Sequence, residues 1–332
     1  MHTAPVSFAT TRTVGLAGLG LLGRGIAACL LGRGFRVVAV VPHEVEFAAA
    51  RPSIDRMLDE LVERDGLDPK VRGTAAERLV CRTDFESLGD AGFVIESVTE
   101  DVSVKRGVFD ALERVVGDEV VIASNTSAIP IGVLQEGRRR PERFLGMHWA
   151  EPAHATRFLE LVRGPSTSDA AMEAALRLGR LLGKDPTICR RDVPGFVVNR
   201  IAYAMYREAL HLVETGVADF ETIDRSLRNT LGLWAASCGP FRWIDLTGGP
   251  ALYARAMERV LPTLDATTTI PEPLASLAAR GGGEAPSTRL FHETTPAETE
   301  RWEERQRRHV WLVKRWLDEE FPLESATEGD AT

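Results

Sequence analysis

The sequence predicts an α/β fold, with a doubly wound parallel sheet in the N-terminal part and an all-α C-terminal part. Three observations carry this. Short Val/Ile-rich runs recur through the first half, helical patterns lie between them, and from about Ser168 only helical patterns remain. Nearly continuous apolar strands suit parallel strands covered on both faces. Alternation of β and α at this spacing is the signature of a doubly wound sheet.

The strand candidates are Thr13–Ala17, Arg36–Val41, Leu79–Arg82, Phe93–Ser97, Val120–Ser124 and Phe144–His148, with a further strand around Glu160. The clearest intervening helix is Asp101–Val115, with Val104, Val108, Ala111 and Leu112 at helical spacing on one face. Asp169–Leu182 is Ala/Leu-rich and ends at Gly183. Asp192-Val193-Pro194-Gly195 forms a turn, and Pro194 sits where a helix can begin. The helix after it runs to about Glu214, with Phe196, Ile201, Met205, Ala209, Leu212 and Val213 as an apolar stripe. Asp219 is a good N-cap for a helix that stops near Gly232. Further helices are expected at Ala251–Leu261, Pro273–Arg280 and Ala297–Glu320, with Gly281-Gly282-Gly283 as a flexible break. The domain boundary is expected near residues 187–194. That gives a dinucleotide-sized domain over 1–190, a helical domain over 191–320 and a frayed acidic tail over 321–332.

Composition narrows the class. At roughly 150 residues per domain, 332 residues make about two domains. The chain is 44% hydrophobic and 27% charged, enough to bury a full core. Lys+Arg is 40 against 48 for Asp+Glu, a net charge of −8, which argues against nucleic acid or an anionic membrane as the main partner. Cys29, Cys81, Cys189 and Cys238 are too few and too scattered for a disulfide framework or a metal cluster, and read as reduced thiols of a cytoplasmic protein. No apolar run reaches the roughly 18 residues of a membrane helix. Arg12 followed by Val14–Leu22 looks superficially like a signal peptide, but its glycines and Arg24 make a poor apolar helix.

Those glycines have another reading. Gly18-Leu19-Gly20-Leu21-Leu22-Gly23 follows a predicted strand and opens a predicted helix containing Ile26, Cys29 and Leu30. In a dinucleotide loop, Gly18 permits the tight turn, Gly20 lets backbone approach a pyrophosphate and Gly23 allows close helix–strand contact. The helix N-terminal amides then face the phosphates. The sheet is thereby Rossmann-like. One departure follows: Val41 stands where an NAD site usually carries an acid for the ribose 2′-hydroxyl. His43, Arg24 and Arg51 could approach a 2′-phosphate, while Glu44 and Glu46 oppose it. The expected cofactor is NAD, with NADP left open.

Several further motifs occur in order: Val94-Ile95-Glu96 leading to Glu100 and Lys105, Ser124-Asn125-Thr126-Ser127, Gly146-Met147-His148-Trp149-Ala150-Glu151-Pro152, Glu160 twelve residues after His148, Val193–Arg200, and Gly239-Pro240-Phe241 with Asp245-Leu246. Together they resemble the 3-hydroxyacyl-CoA dehydrogenase family over roughly residues 13–250. The resemblance implies that Glu100, Lys105 and Asn125 lie at the cofactor, that His148 is catalytic with Glu160 as partner, and that Ser127 and Asn199 belong to the site. It also implies a homodimer through the helical domain. Leu231-Gly232-Leu233-Trp234 and the late Arg/Trp-rich helix are more like the branch with L-carnitine dehydrogenase and the L-gulonate 3-dehydrogenase/lambda-crystallin group, which use free hydroxy acids. Simple packing also accounts for Trp302, Trp311 and Trp316.

The residue chemistry supports a dehydrogenase on its own terms. Oxidising a secondary alcohol needs a group to take the hydroxyl proton, and histidine suits that task. A carboxylate on the far ring nitrogen fixes the tautomer and stabilises the imidazolium. An isolated His148 would read as a packed core residue; Glu160, Ser127 and Asn199 in register change that. Ser127 and Asn199 could position the substrate between the domains, or serve locally as turn and helix-face residues. Glu151 replaces the family's Asn and is read as a substrate contact with three competing explanations: a structural pair with an arginine such as Arg157, a site for a cationic or hydroxyl-rich substrate, or weakened activity. The leading expectation is a nicotinamide-dependent dehydrogenase of a 3-hydroxyacyl-CoA or 3-hydroxy acid. The rivals are a carnitine- or gulonate-type free hydroxy acid dehydrogenase and a nucleotide-binding protein without dehydrogenase activity. The net charge of −8 offers no general attraction for such anions, so local amides, Lys105 and nearby arginines are expected to hold them.

Overall fold

The computed structural model describes residues 12–280, 291–292 and 294–323. The expected glycine break at 281–283 and the tail beyond residue 323 lie outside the described residues. The chain divides into two compact units, the first comprising the residues through Asn199 together with those from Asp318 onward, and the second Arg200–Leu317.

The first unit carries β1 (Thr13–Ala17), α1 (Leu21–Gly32), β2 (Arg36–Val40), α2 (Glu44–Arg64), α3 (Lys70–Arg78), β3 (Leu79–Arg82), β4 (Phe93–Glu96) and α4 (Val102–Val115). It continues with β5 (Val121–Ser124), α5 (Ile131–Gln135), β6 (Phe144–His148), β7 (Phe158–Val162), α6 (Asp169–Leu181) and β8 (Asp185–Cys189). The strands form one eight-stranded sheet in the order β3-β2-β1-β4-β5-β6-β7-β8. All neighbours are parallel except β6 and β7. The strand order reverses beside β1 and β4, so their C-terminal ends frame the crevice where such sheets bind ligands.

Physical reasons for the elements are local. Val14, Leu16, Val37, Phe93, Val94, Ile95 and Ile122 are fully or nearly fully buried, as continuous apolar strands require. Between sheet and helix, Val94, Ile122, Phe109, Leu112, Leu134 and Phe144 form one core cluster. Each such side chain contributes about 1.5–3 kcal/mol on burial. Asp101 caps α4 by accepting from the Val104 amide at 2.9 Å. The buried face of α4 is rotated from the expected one: Val104 is exposed, and Lys105, Phe109, Ala111 and Leu112 point inward. An ammonium thus occupies a place that hydrophobic periodicity gives to an apolar residue.

Two features of this unit were not visible in the pattern. The polar α2 contains Pro52 and buries only Ala50, Ile54, Met57, Leu58 and Leu61. Edge strand β8 contains Pro186 and buries only Cys189, so it lacks the apolar run of a central strand.

Helices follow: α7 (Val198–Glu214), α8 (Phe220–Asn229), α9 (Leu231–Ala235), α10 (Gly239–Leu246), α11 (Gly249–Val260), α12 (Glu272–Arg280) and α13 (Pro296–Glu320). Asp219 caps α8 as expected, accepting from the Thr222 amide at 2.8 Å. α7 begins at Val198 and not at Pro194, because Gly195 and Phe196 take φ of 76° and 52°, left-handed values that cannot continue a helix. α8 ends at Asn229, short of Gly232, where Thr230 leaves helical geometry. In the α7 stripe, Ile201 and Met205 are exposed. Among the described apolar residues of the second unit, only Leu210 and Trp311 are buried.

The end of α13 returns to the first unit. Arg157 donates to the Phe321 carbonyl at 2.8 Å and pairs with Asp318 at 3.5 Å and Asp185 at 3.0 Å. Phe321 is therefore held, although the tail was expected to begin there. All four cysteines are free. Among the described residues no helix is long and apolar enough to cross a membrane.

Candidate active site

The glycine loop between β1 and α1 separates protein packing from open space. Gly18 has φ of 99°, and a Cβ there would lie 2.5 Å from the Ser97 carbonyl oxygen. A Cβ on Gly23 would strike the Gly18 carbonyl. By contrast, a Cβ on Gly20 meets no protein atom within 4 Å. Gly20 is also the N-cap of α1, with no side-chain cap and no acid in the first turn. Leu19 is buried, Leu21 is 65% exposed, and Arg24 folds back to donate to the Leu19 carbonyl at 3.0 Å. Uncapped amides beside open space suit an anionic group, so these residues fit a dinucleotide pyrophosphate. Val41 is buried, its amide donating to the Arg82 carbonyl at 3.0 Å, and offers no carboxylate to a ribose.

Beyond β4 and β5 a buried ionic chain builds the next turn. Lys105 is fully buried and reaches Glu96 at 2.7 Å, Glu100 at 3.3 Å and the Val98 carbonyl at 3.4 Å. Its three N–H groups thus have three protein acceptors. Its charged partners are Glu96, at the end of β4, and Glu100, in the turn beyond it. Glu96 further accepts from the Ser124 hydroxyl at 2.5 Å and the Val98 amide at 2.7 Å. Glu100 accepts from the Thr126 hydroxyl at 2.6 Å and from the Ser127 and Ala128 amides, each at 2.9 Å. Burial alone would raise the Glu100 carboxyl; Thr126, the two amides and Lys105 together hold it below the usual carboxylate range. Asn125 ties three strand ends together, donating to the Ser97 hydroxyl at 3.1 Å and accepting from the Trp149 amide at 2.9 Å.

His148 ends β6, in antiparallel register with Glu160 on β7. Both side chains are buried, and the imidazole Nδ1 lies 2.9 Å from the carboxylate. A carboxylate partner accepts a hydrogen bond from Nδ1–H, which leaves Nε2 as the nitrogen with a free lone pair. The other Glu160 oxygen accepts from the Val197 amide at 3.2 Å and the Val198 amide at 2.9 Å. Phe158 and Phe196 meet the imidazole edge-to-face, with centroids 5.6 and 5.7 Å away. Asn199 donates to the Ser127 carbonyl at 3.0 Å, joining the Ser127 turn to the start of α7. Asp192 clamps the same region by accepting from the Ile131 and Gly132 amides at 2.9 and 2.6 Å.

Glu151 lies on the loop that leaves His148. Lys184 fixes that loop through the Ala153 and Thr156 carbonyls at 2.5 and 2.6 Å. His154 on the same loop pairs with Glu60 at 3.0 Å. Burial raises the Glu151 carboxyl above its usual range, against the opposing pull of His154 and the Ala153 amide. Arg157, the candidate partner for Glu151, is instead committed to Asp185, Asp318 and Phe321.

Two bonded groups result, His148–Glu160 with the Val197 and Val198 amides, and Asn199–Ser127 with Glu100 and Lys105 behind it, and the chain joins them between Val198 and Asn199. Sequence reasoning passed over Glu96, Asp192, Phe158 and Phe196. Glu96 carried a usable signal: an acid inside an otherwise apolar central strand needs a buried partner.

Comparisons with known proteins find relatives in sequence and in fold. Residues 13–193 match the family model described as 3-hydroxyacyl-CoA dehydrogenase, NAD binding domain, and residues 195–275 match its C-terminal domain. The chain is 36% identical over 244 residues to 5-formyl-3-hydroxy-2-methylpyridine 4-carboxylate 5-dehydrogenase of Mesorhizobium japonicum, covering 71% of this chain and 76% of that protein. It is 34% identical over 220 residues to 3-hydroxybutyryl-CoA dehydrogenase of Bradyrhizobium diazoefficiens, covering 66% of this chain and 75% of that protein. Among solved structures, 5-formyl-3-hydroxy-2-methylpyridine 4-carboxylic acid 5-dehydrogenase, described as an NAD+ dependent dismutase, is 29% identical with a TM-score of 0.86, covering 93% of this chain and 99% of that one. (S)-3-hydroxybutyryl-CoA dehydrogenase from Ralstonia eutropha is 31% identical with a TM-score of 0.70, covering 86% and 99%.

Proposed function

The chain belongs to the 3-hydroxyacyl-CoA dehydrogenase family, and from that premise we propose that it interconverts the hydroxyl and keto forms of a 3-hydroxyacyl-CoA or 3-hydroxy acid. The observation that carries this reading is the buried His148–Glu160 pair at 2.9 Å, with His148 at the C-terminal end of β6 in the sheet whose β1 leads into the glycine loop. When bound, NAD supplies the acceptor and donor of the hydride. His148 Nε2 takes the hydroxyl proton in oxidation and returns it in reduction. Glu160 keeps Nδ1 protonated and balances the imidazolium that forms. Ser127 contacts the substrate oxygen from its turn, and Asn199 braces that turn while facing the substrate. Gly18, Leu19, Gly20, Leu21, Leu22 and Gly23 form the cradle for the pyrophosphate, with Val41 near the ribose. Lys105 acts through Glu100, and Asn125 through the strand ends, by holding the turn that borders the cofactor. We assign cofactor binding to residues 1–190, and substrate binding and self-association to 191–320.

The test is the oxidation of 3-hydroxybutyryl-CoA, carnitine and gulonate with NAD, by the native protein and by His148→Ala. Turnover of one of these that His148→Ala abolishes is expected. Equal rates in the two proteins would overturn the role of His148. Cofactor binding with no turnover on a broad hydroxy-acid panel would favour a nucleotide-binding protein without this activity.

One observation favours a small free acid as substrate. The likeness to the pyridine-carboxylate dehydrogenase extends over more of this chain than the likeness to the CoA enzyme, and with a higher TM-score. Glu151 on its fixed loop then faces a donor group of that acid. Thioester turnover without free-acid turnover would exclude this second reading. For the cofactor, NADPH binding more tightly than NADH by over about 1.4 kcal/mol, a factor of ten, would overturn the choice of NAD.

The helical unit exposes Leu233, Phe241 and Leu246 at 72%, 83% and 69%. A soluble chain leaves such surface bare at a cost, and a second copy of this chain, making a cytoplasmic homodimer, is the partner that covers it.

A further inference from the structure

Glu160 does two jobs at once, and the second has a chemical consequence. Its Oε2 meets His148, while its Oε1 accepts from the Val197 and Val198 amides. Val198 is the first residue of α7, so these amides are among the donors that a helix start leaves unpaired. A helix is ordinarily capped by a side chain within a few residues. Here the cap comes from a carboxylate 37 and 38 residues away in sequence.

The backbone is bent to achieve this. Gly195 and Phe196 are consecutive left-handed residues, and Phe196 is the one non-glycine residue with positive φ among the described residues. Such a conformation costs about 1–3 kcal/mol and persists where surrounding structure imposes it. Phe196 is buried, with its ring edge-to-face on His148. The same turn therefore closes one side of the imidazole and aims two amides at its partner.

Resting on the assignment of His148 as the base, we propose that the Val197 and Val198 amides are positioning groups of the reaction, holding Glu160 in place and moderating its pull on the His148 proton. Amide N–H dipoles draw negative potential off a carboxylate. A bare carboxylate against Nδ1 would stabilise the imidazolium more strongly and make His148 a more basic group. With two amides on its other oxygen, Glu160 orients the ring while part of its charge is met by the backbone.

The titratable groups around the pair are few. Cys189, at the end of β8, has a thiol raised by burial and by the charges of Glu160 and Asp192. Asp192 has its own carboxylate taken by the Ile131 and Gly132 amides. Glu151 lies on the loop leaving β6.

Val198→Pro tests this. Proline is tolerated at the first residue of a helix, and it deletes one of the two N–H groups. The readout is the pH profile of kcat/KM for oxidation, which falls at low pH as the free enzyme's base is protonated. Loss of the donor makes His148 more basic, so the acidic limb should move up by about half a pH unit or more. Val198→Ala, which keeps the N–H, should return the midpoint to the native position. If Val198→Pro does not fold, an amide-to-ester replacement at Val198 removes the same donor with little change of shape. An unmoved or downward-shifted limb in a folded variant overturns the proposal. Failure of the base assignment reads differently: His148→Ala would then keep native activity whatever Val198→Pro does.

Discussion

The two units bury their apolar residues in different ways. In the first, the strands and α1 lie against one another, and Val14, Leu16, Ile26, Leu30, Ile95 and Leu112 are wholly excluded from water. In the second, amphipathic helices leave Ile201, Tyr203, Leu233, Phe241 and Leu246 more than half exposed. Both have similar helix signals in sequence, and Asp219 caps α8 as soundly as Asp101 caps α4. Local propensity forms a helix; it does not say what covers the apolar face. The first unit closes its core from its own residues and holds the His148–Glu160 pair proposed above as the reacting group. The second keeps apolar surface in reserve for the self-association proposed above.

Five experiments probe that contrast. The largest effect belongs to the first unit: His148→Ala should lower kcat/KM for oxidation by about 10²–10⁴, the usual worth of a general base. Circular dichroism should be unchanged, and a variant as fast as the native protein would break the assignment. Next, Lys105→Met strands the buried Glu96 carboxylate. It should cost about 3–5 kcal/mol in denaturant unfolding, and an unchanged midpoint would mean the ionic chain is dispensable. Third, Gly20→Val and Gly23→Val should part company. The first has room and should fold normally while weakening NADH binding about tenfold or more, by analogy with a lost close approach worth about 1.4 kcal/mol. The second drives a methyl into the Gly18 carbonyl and should lower the melting temperature as well.

Fourth, Phe241→Asp should leave the melting of a monomer intact but raise its dissociation constant in sedimentation velocity by about tenfold or more. Unchanged association would place the interface elsewhere. The smallest effect is acid sensitivity at the two caps. The Ser103 hydroxyl and Val104 amide hold the Asp101 carboxyl below its usual value, and Thr222 does the same for Asp219. A lowered folded value means that the stabilisation is complete above the unfolded value of about 3.9 and fades as pH falls through the folded one. Asp101→Ala and Asp219→Ala should therefore destabilise at pH 7 and matter less near pH 2. Equal penalties at both pH values would show that the charge is irrelevant.

Much of this molecule was legible in its residues. Central strands announced themselves because burial on both faces demands unbroken Val and Ile. The glycine loop did so because Gly18 and Gly23 answer to backbone contacts that no other residue permits. His148 and Glu160 were legible through their match to the family motifs, with a short turn between two predicted strands able to bring them together. Other features were hidden for physical reasons. Edge strand β8 has only one buried residue, so no periodicity marks it. Lys105 hides because a buried ammonium looks, in sequence, like one more solvated lysine. The start of α7 hides because Phe196 takes a conformation that its residue type disfavours, imposed by contacts distant in sequence.

Arg157 brings one more consequence. By gripping Asp318 and the Phe321 carbonyl, which lie 161 and 164 residues further along, it closes a chain loop of that length, and Arg200–Leu317 of the second unit falls inside it. In polymer terms, closing such a loop costs free energy that grows only as the logarithm of its length, about 0.6 kcal/mol per doubling. Chain length within that loop can therefore grow or shrink by whole helical turns at almost no entropic cost to the Arg157 contacts.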